Sequence, residues 1–325
     1  MGGRAGAASM LVIGIDEAGY GPLLGPLVVA GSAFRVGEGE PEPGAALRAA
    51  LDGPAPRRSG IRVGDSKVLF GRGGLAALET PVLASLRASG VPFPDDLDGL
   101  LGAVAVDPRE RRALPWYAGD LASFPLRSLR EDVEPVAEAL GARLAERDAR
   151  FVGFAAEVVA EDRLNRLFAK SGNKATTLFD LSAAVFRRLL AHASPGEQVA
   201  AVFDRQGGRK NYLPPLQSSF PDAFVWRMGE GPHRSAYRLD VNQHGVAASF
   251  VVRGDAEHPQ VGLASLLAKY LREAFMSLWN DWFHALCPDV RPTAGYTEDG
   301  RRWLTESRTP RTAAGIPDEV LIRTR

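Results

Sequence analysis

The sequence is poor in the residues that most directly announce chemistry. It has a single cysteine, Cys287, in 325 residues, which excludes an internal disulfide and any cysteine-built zinc or iron–sulfur centre. The five histidines (His192, His233, His244, His258 and His284) form no metal pair at helical spacing, and no Gly-x-Ser-x-Gly or Walker segment occurs. Net charge is missing too: 39 basic residues balance 39 acidic ones, so no global field draws the protein to nucleic acid or to an anionic membrane. Long apolar runs are absent near the start. The stretch from Met10 to Ile15 ends at Asp16-Glu17, too soon for a signal peptide or a membrane span, so a cytoplasmic protein with no membrane partner is expected. Lysine is scarce, five residues against 34 arginines, so a single arginine carries little information here and a lysine somewhat more.

What remains is an ordinary globular composition, 45% hydrophobic and 24% charged, enough for one large domain or two modest ones. Residues 1–9, small and glycine-rich, read as a disordered leader. Leu11 to Ile15 reads as a buried strand, followed by the Gly/Pro series Gly19, Gly21, Pro22, Gly25 and Pro26 and a second strand over Leu27 to Ala33. Residues 37–60 and 91–130 are rich in Pro, Gly and charge and read as insertions, the first with a short helix over Ala45 to Leu51 and the second carrying Trp116. Helical periodicity marks Gly74 to Ala88, Leu129 to Asp148, Ala175 to His192 and Leu263 to Leu286. Strands are expected over Phe151 to Ala160, Gln198 to Phe203, Ala223 to Met228, Ser235 to Leu239 and Ala247 to Val252. Strands first, then alternating helices and strands, predict an α/β fold: a mixed sheet flanked by helices over 10–290, with a C-terminal extension, helical or irregular, over 291–325. Six arginines against three acids from Gly300 onward read as a solvated tail, with a duplex-backbone contact as the alternative.

Asp16 and Glu17 sit where a hydrophobic strand meets a glycine-rich loop, the place where α/β sheets put ligand sites. By itself such a pair is turn chemistry; a two-cation site needs further oxygen ligands from separate elements. Asp204 ends the apolar strand before Gly207-Gly208, and a turn-initiating Asp is its plain alternative. Ser265, Lys269 and Glu273 follow one another at four-residue steps along one helix face, where an exposed Lys–Glu ion pair is the plain alternative. The opposite face, with Leu267, Leu271, Leu278 and Trp282, is core.

Taken together, these residues carry a resemblance. The segment Ile15-Asp16-Glu17-Ala18-Gly19-Tyr20-Gly21-Pro22-Leu23-Leu24-Gly25-Pro26-Leu27-Val28 resembles the opening signature of the ribonuclease HII family, D-E-A-G-R-G-P-L-A-G-P-V. Asp65-Ser66-Lys67, Asp204, Arg253-Gly254-Asp255, Ala264-Ser265-Leu266-Leu267-Ala268-Lys269 and Gly295-Tyr296-Thr297 follow in the order of that family's D-S-K, strand-end Asp, K-G-D, A-S-I-L-A-K and G-Y-x-T.

The resemblance implies an RNase H-like fold. It also implies a metal-dependent endoribonuclease, holding Mg2+ or Mn2+ with Asp16, Glu17, Asp204 and Glu273 and cutting on the 5′ side of a ribonucleotide. The implied partner is an RNA/DNA hybrid or a DNA duplex with an embedded ribonucleotide, and a monomer is expected. Gly19, Tyr20, Gly21, Lys67, Lys269 and Tyr296 would meet that substrate. Three departures stand out: Tyr20 replaces the loop arginine, Glu273 stands where the family has Asp, and Pro292-Thr293-Ala294 replaces a His-Lys pair. They motivate a second expectation, a nucleic-acid-binding protein of the same fold with lost or altered catalysis.

Overall fold

The computed structural model describes residues 9–37, 43–52, 66–107, 111–119 and 128–324. The first eight residues of the expected leader, most of the 37–60 insertion and part of the 91–130 insertion lie outside them.

A seven-stranded mixed sheet organises the chain, in the order β3-β2-β1-β4-β7-β6-β5. β1 (Ser9–Ala18) and β2 (Leu27–Gly37) form an antiparallel pair, and β3 (Ala149–Val159) continues it antiparallel to β2. β4 (Gln198–Asp204) then lies parallel to β1, and β7 (His244–Val251) parallel to β4. The antiparallel strands β6 (Arg234–Val241) and β5 (Phe224–Glu230) close the far edge. The expected strands all form, and most run a few residues longer than the apolar runs that announce them. β1 extends through Asp16 and Glu17, because its pairing with β2 continues to Ala18 opposite Val28.

The helices are α1 (Pro43–Leu51), α2 (Ser66–Ala88, broken at Gly74), α3 (Leu97–Ala103), α4 (Arg130–Ala145), α5 (Glu161–Ser171) and α6 (Lys174–Leu190). They continue with α7 (Leu213–Ser219), α8 (Gly254–Glu257), α9 (Pro259–Leu286), α10 (Thr297–Glu306), α11 (Arg308–Ala313) and α12 (Asp318–Leu321). Two cores result, one on each face of the sheet. Even-numbered positions of β1 and β2, such as Val12, Val28 and Phe34, pack with α2, α4 and α9. Odd-numbered ones, such as Ile13, Ile15 and Val29, pack with α5 and α6. Both faces of β1 are therefore buried, which is why its sequence is a near-continuous apolar run.

Gly14 sets how closely α9 approaches. A Cβ at that position would stand 2.3 Å from the Gln260 carbonyl carbon, so only glycine lets the first turn of α9 lie against β1. Ser32 Oγ on β2 donates to the same Gln260 carbonyl at 2.6 Å. This contact fixes the register of the helix that carries Ser265, Lys269 and Glu273.

The tail departs from expectation. Residues after Gly300 are not a solvated arginine tail: Arg311 and Arg323 are 4% and 3% exposed. Arg311 bridges Asp318 and the Leu304 carbonyl, and Arg302 bridges Asp299 and Glu306. Net arginine excess predicted solvation; the positions of the partner carboxylates and carbonyls, invisible to a charge count, decided otherwise.

Candidate active site

Asp16 and Asp204 are 188 positions apart in sequence but leave neighbouring strands together. The parallel register pairs Ile15 with Phe203, so the next residue on each strand is the aspartate, at the carboxyl ends where open α/β sheets bind ligands. Both project to the α9 side. Asp16 Oδ1 accepts the Glu17 amide at 2.7 Å, and Asp204 Oδ1 accepts the Gly254 amide at 2.7 Å. Burial and the facing Asp204 push the Asp16 carboxyl up to about 8, against hydrogen bonding from Ser265. Burial, with Asp16 and Asp204 behind it, likewise holds Glu17 well above the ordinary carboxylate range.

A pocket of about 380 Å³ opens over these groups. Its walls are Asp16 to Pro22, Asp204, Arg253, Asp255, Ser265, Lys269 and Tyr296. Eight of the residues singled out from sequence therefore meet in one place: Asp16, Glu17, Gly19, Tyr20, Gly21, Asp204, Lys269 and Tyr296. Asp65 and the Lys67 side chain lie outside the described residues. Glu273 is not brought to the pocket wall. Its Oε1 accepts from Lys269 Nζ at 2.5 Å and from Arg272 Nη1 at 2.9 Å, the helical ion pair that the four-residue spacing alone predicts, joined by a second cation. Asp255 and Ser265, quoted in the matching segments but not singled out as site residues, line the pocket instead.

The loop from Gly19 to Pro26 is held by residues from four distant parts of the chain. Gly19 has φ of 85°, and a Cβ there would meet the Pro26 carbonyl at 2.6 Å and the Arg272 side chain at 2.8 Å. The Gly295 carbonyl accepts the Leu23 and Leu24 amides. Buried Glu161, at the start of α5, accepts the Gly25 amide at 3.0 Å and the Tyr117 hydroxyl at 3.1 Å, and burial raises its carboxyl to about 7. From the C-terminus, the Arg323 guanidinium donates to the carbonyls of Gly19 and Tyr20, the latter at 3.1 Å. Arg272, fully buried, donates to the Ala294 carbonyl at 2.8 Å and lies 5.1 Å beneath the centre of the Tyr296 ring, which leaves that ring 47% exposed over the pocket. None of Glu161, Arg272 and Arg323 was visible as functional in the sequence, since each acts through long-range contacts to backbone groups.

Asp16, Glu17, Asp204 and Asp255 offer only hard oxygen donors, the kind that Mg2+ and Mn2+ take, and the mutual repulsion of Asp16 and Asp204 is what a cation would relieve. Among the described residues, however, no three His, Cys, Asp or Glu side chains stand together closely enough to hold a metal ion. The donors fit such an ion in kind, while their spacing here does not close a cage.

No known protein-family profile matches the chain, and no curated protein matches it. Solved structures do. The RNase HII of Archaeoglobus fulgidus, in its complex with PCNA, is 18% identical, with 97% of this chain and 94% of that one covered and a TM-score of 0.45. Ribonuclease H2 from Pyrococcus horikoshii OT3 is 15% identical, with coverage of 96% and 92% and a TM-score of 0.46. Bst-RNase HIII in complex with Mn2+ is 15% identical, with coverage of 98% and 67% and a TM-score of 0.43. Likeness of this degree transfers neither an activity nor a set of site residues.

Proposed function

We propose that this protein is a divalent-metal-dependent endonuclease of the ribonuclease HII type, acting on a duplex that contains a ribonucleotide. The observation that carries the reading is the convergence of Asp16 and Asp204 at the ends of adjacent parallel strands, beside the Gly19-Tyr20-Gly21 loop, in a pocket that Lys269, Arg253 and Tyr296 complete. Asp16, Glu17 and Asp204, with Asp255 beside them, are the residues that would hold Mg2+ or Mn2+. A bound divalent ion supplies phosphoryl polarisation and activation of water.

The chain itself does the rest. Lys269 and the exposed Arg253 place positive charge on the pocket wall, where a phosphodiester needs it. Gly19 and Gly21 let the backbone come close to the ribose, whose 2′-hydroxyl is the local mark of RNA. The Tyr296 ring, seated on Arg272, offers an apolar face to a neighbouring sugar.

The test is incubation with a duplex carrying one embedded ribonucleotide, in Mg2+ and in Mn2+. Cleavage 5′ to that nucleotide, leaving a 3′-hydroxyl and a 5′-phosphate, is expected. Asp16→Asn and Asp204→Asn should each lower the rate by about a thousandfold, the effect of losing several kcal/mol of transition-state stabilisation. Absence of cleavage by pure protein, or full activity in Asp16→Asn, overturns the proposal. A second reading, duplex binding without turnover, is favoured by one observation: Glu273 is engaged by Lys269 and Arg272 and does not join the other carboxylates. Metal-independent binding with no product would establish it.

A further inference from the structure

Arg323 is 3% exposed, beneath the loop that lines the pocket. Its backbone amide donates to the Leu23 carbonyl at 2.9 Å, and its guanidinium donates to the carbonyls of Gly19 and Tyr20. The segment around it is pinned independently by Asn165 on α5, which donates to the carbonyls of Glu319 and Ile322 and accepts the Thr324 amide at 2.8 Å. A buried arginine that spends two donors on main-chain carbonyls fixes more than a side chain. In a trans peptide the C=O and the following N–H point in opposite directions, and no peptide bond among the described residues is cis. With the Gly19 and Tyr20 carbonyls turned inward to Arg323, the amides of Tyr20 and Gly21 are turned away from it, and Gly19, Tyr20 and Gly21 all line the pocket. Neither amide donates to a backbone carbonyl among the described residues.

We propose that Arg323 is a positioning residue for substrate recognition. By gripping two carbonyls from below, it holds in place the Tyr20 and Gly21 amides of the loop that the proposed function already sets against the ribonucleotide, so that they can meet either the ribose 2′-oxygen or an oxygen of the adjoining phosphate; what Arg323 adds is the bracing. The amide pair needs no side chain at position 20, which is how a tyrosine can stand there. The positive charge sits behind the loop instead of on it, where it strengthens the two peptide dipoles aimed at the substrate. Burial lowers the guanidinium only to about 10, so it remains charged at neutral pH. Arg272 and the segment carrying Arg323 thus brace one short loop from two sides.

This inference rests on the proposed nuclease reading for its substrate, but its test does not depend on turnover. Full-length Arg323→Gln and Arg323→Lys are compared with Asn165→Ala, which loosens the same tail without touching the loop. Hydrogen exchange should speed up in Arg323→Gln over residues 19–24, and Arg323→Lys should restore part of the protection. Anisotropy with labelled duplexes separates the two acceptor oxygens. If the 2′-oxygen is bound, Arg323→Gln lowers affinity for the ribonucleotide-containing duplex by about tenfold and leaves the all-DNA duplex within about twofold. If the phosphate is bound, both affinities fall together. Guanidinium ion added to Arg323→Ala should recover part of the loss.

Two results overturn the proposal: unchanged exchange and affinity in Arg323→Gln, or an equal loss in Asn165→Ala at matched thermal stability, which reduces Arg323 to a tail anchor. Should Arg323→Gln fold poorly because Glu161 loses its neighbouring charge, the double variant Arg323→Gln/Glu161→Gln removes both charges and is compared with Glu161→Gln alone, since Glu161 itself accepts the Gly25 amide. If the protein cleaves nothing but the exchange and affinity effects hold, the nuclease reading fails and the bracing stands. If it cleaves and the effects are absent, the reverse is true.

Discussion

The two halves of the sheet are built to different rules. Around β1 and β2, helices cover both faces, and a charged set of side chains is buried behind the loop: Glu161, Arg272 and Arg323 are 0%, 0% and 3% exposed. In the outer half, β5 and β6 are covered only on the side of Tyr237 and Leu239. Their other face carries Arg234, Arg238 and Asp240, with Phe224 and Trp226 stacked 5.7 Å apart and 74% and 44% exposed. Phe224, Trp226 and Met228 occupy an edge strand, where natural sheets usually place charge. Here a register shift between Arg227 and Gly229 and the Arg227–Glu230 pair make the edge a poor template for another strand. Asp16 and Asp204 lie at the seam between the halves, on strands whose backbone is held rigidly from the inner side.

This contrast says where substitutions hurt. The largest effect belongs to Arg272→Met. The native guanidinium is fully buried and satisfies Glu273, the Ala294 carbonyl and the Tyr296 ring. Removing it leaves the partly buried Glu273 carboxylate to Lys269 alone and the Ala294 carbonyl and the Tyr296 ring without their cation, and should cost about 3–5 kcal/mol in urea unfolding. A cost below about 1 kcal/mol would make the inner charges no more important than surface ones and would erase the contrast between the halves.

An intermediate effect, with a definite pH dependence, belongs to Asp16→Asn. The native carboxyl is raised to about 8 by burial and by Asp204, so between about pH 4 and pH 8 the unfolded chain has released a proton that the folded one retains. Folded stability therefore falls as pH rises through that window, at up to about 1.4 kcal/mol per pH unit for this one group. Asparagine has no such proton. The variant should be the more stable protein at pH 7, by up to about 4 kcal/mol, with the gain shrinking toward pH 4. Thermal melts across pH measure it. Adding Mg2+ or Mn2+ should raise the melting temperature of the native protein and not that of the variant. A gain independent of pH would show that Asp16 is already ionised in the fold.

Much of this architecture was legible in the sequence, for identifiable reasons. β1, β2 and β4 are short apolar runs stopped by Gly, Pro or Asp, and the helix containing Ser265, Lys269 and Glu273 has an unbroken 3.6-residue period. Local signals suffice for such elements. The pocket was legible through ordered motifs: eight of the residues chosen from sequence line it. What escaped was everything decided by a distant partner. α5 opens with Glu161-Asp162-Arg163, and nothing local marks the Glu161 carboxylate as the group that holds Gly25. The arginines of the tail look like a charge excess until Arg323 is found under Gly19 and Tyr20. Glu273 illustrates the opposite case: the plain expectation from i, i+4 spacing describes its contacts, and the motif position does not.

The smallest effect is the one that tests the open half directly. Trp226→Ser and Phe224→Ser remove large side chains that are already in water, so neither should change stability by more than about 0.5 kcal/mol, although each deletes as much apolar surface as a core residue. Position, not size, sets the cost, because a ring that stays hydrated in the native state gains little on folding. The sharper version pairs Trp226→Ser with Trp279→Ser, whose indole is fully buried between Phe283 and Trp303. The same substitution there should cost at least about 3 kcal/mol. Equal costs at the two sites would mean that the outer face is covered in solution by something that buries Trp226, and light scattering at the same protein concentration would show whether that cover is a second copy of this chain.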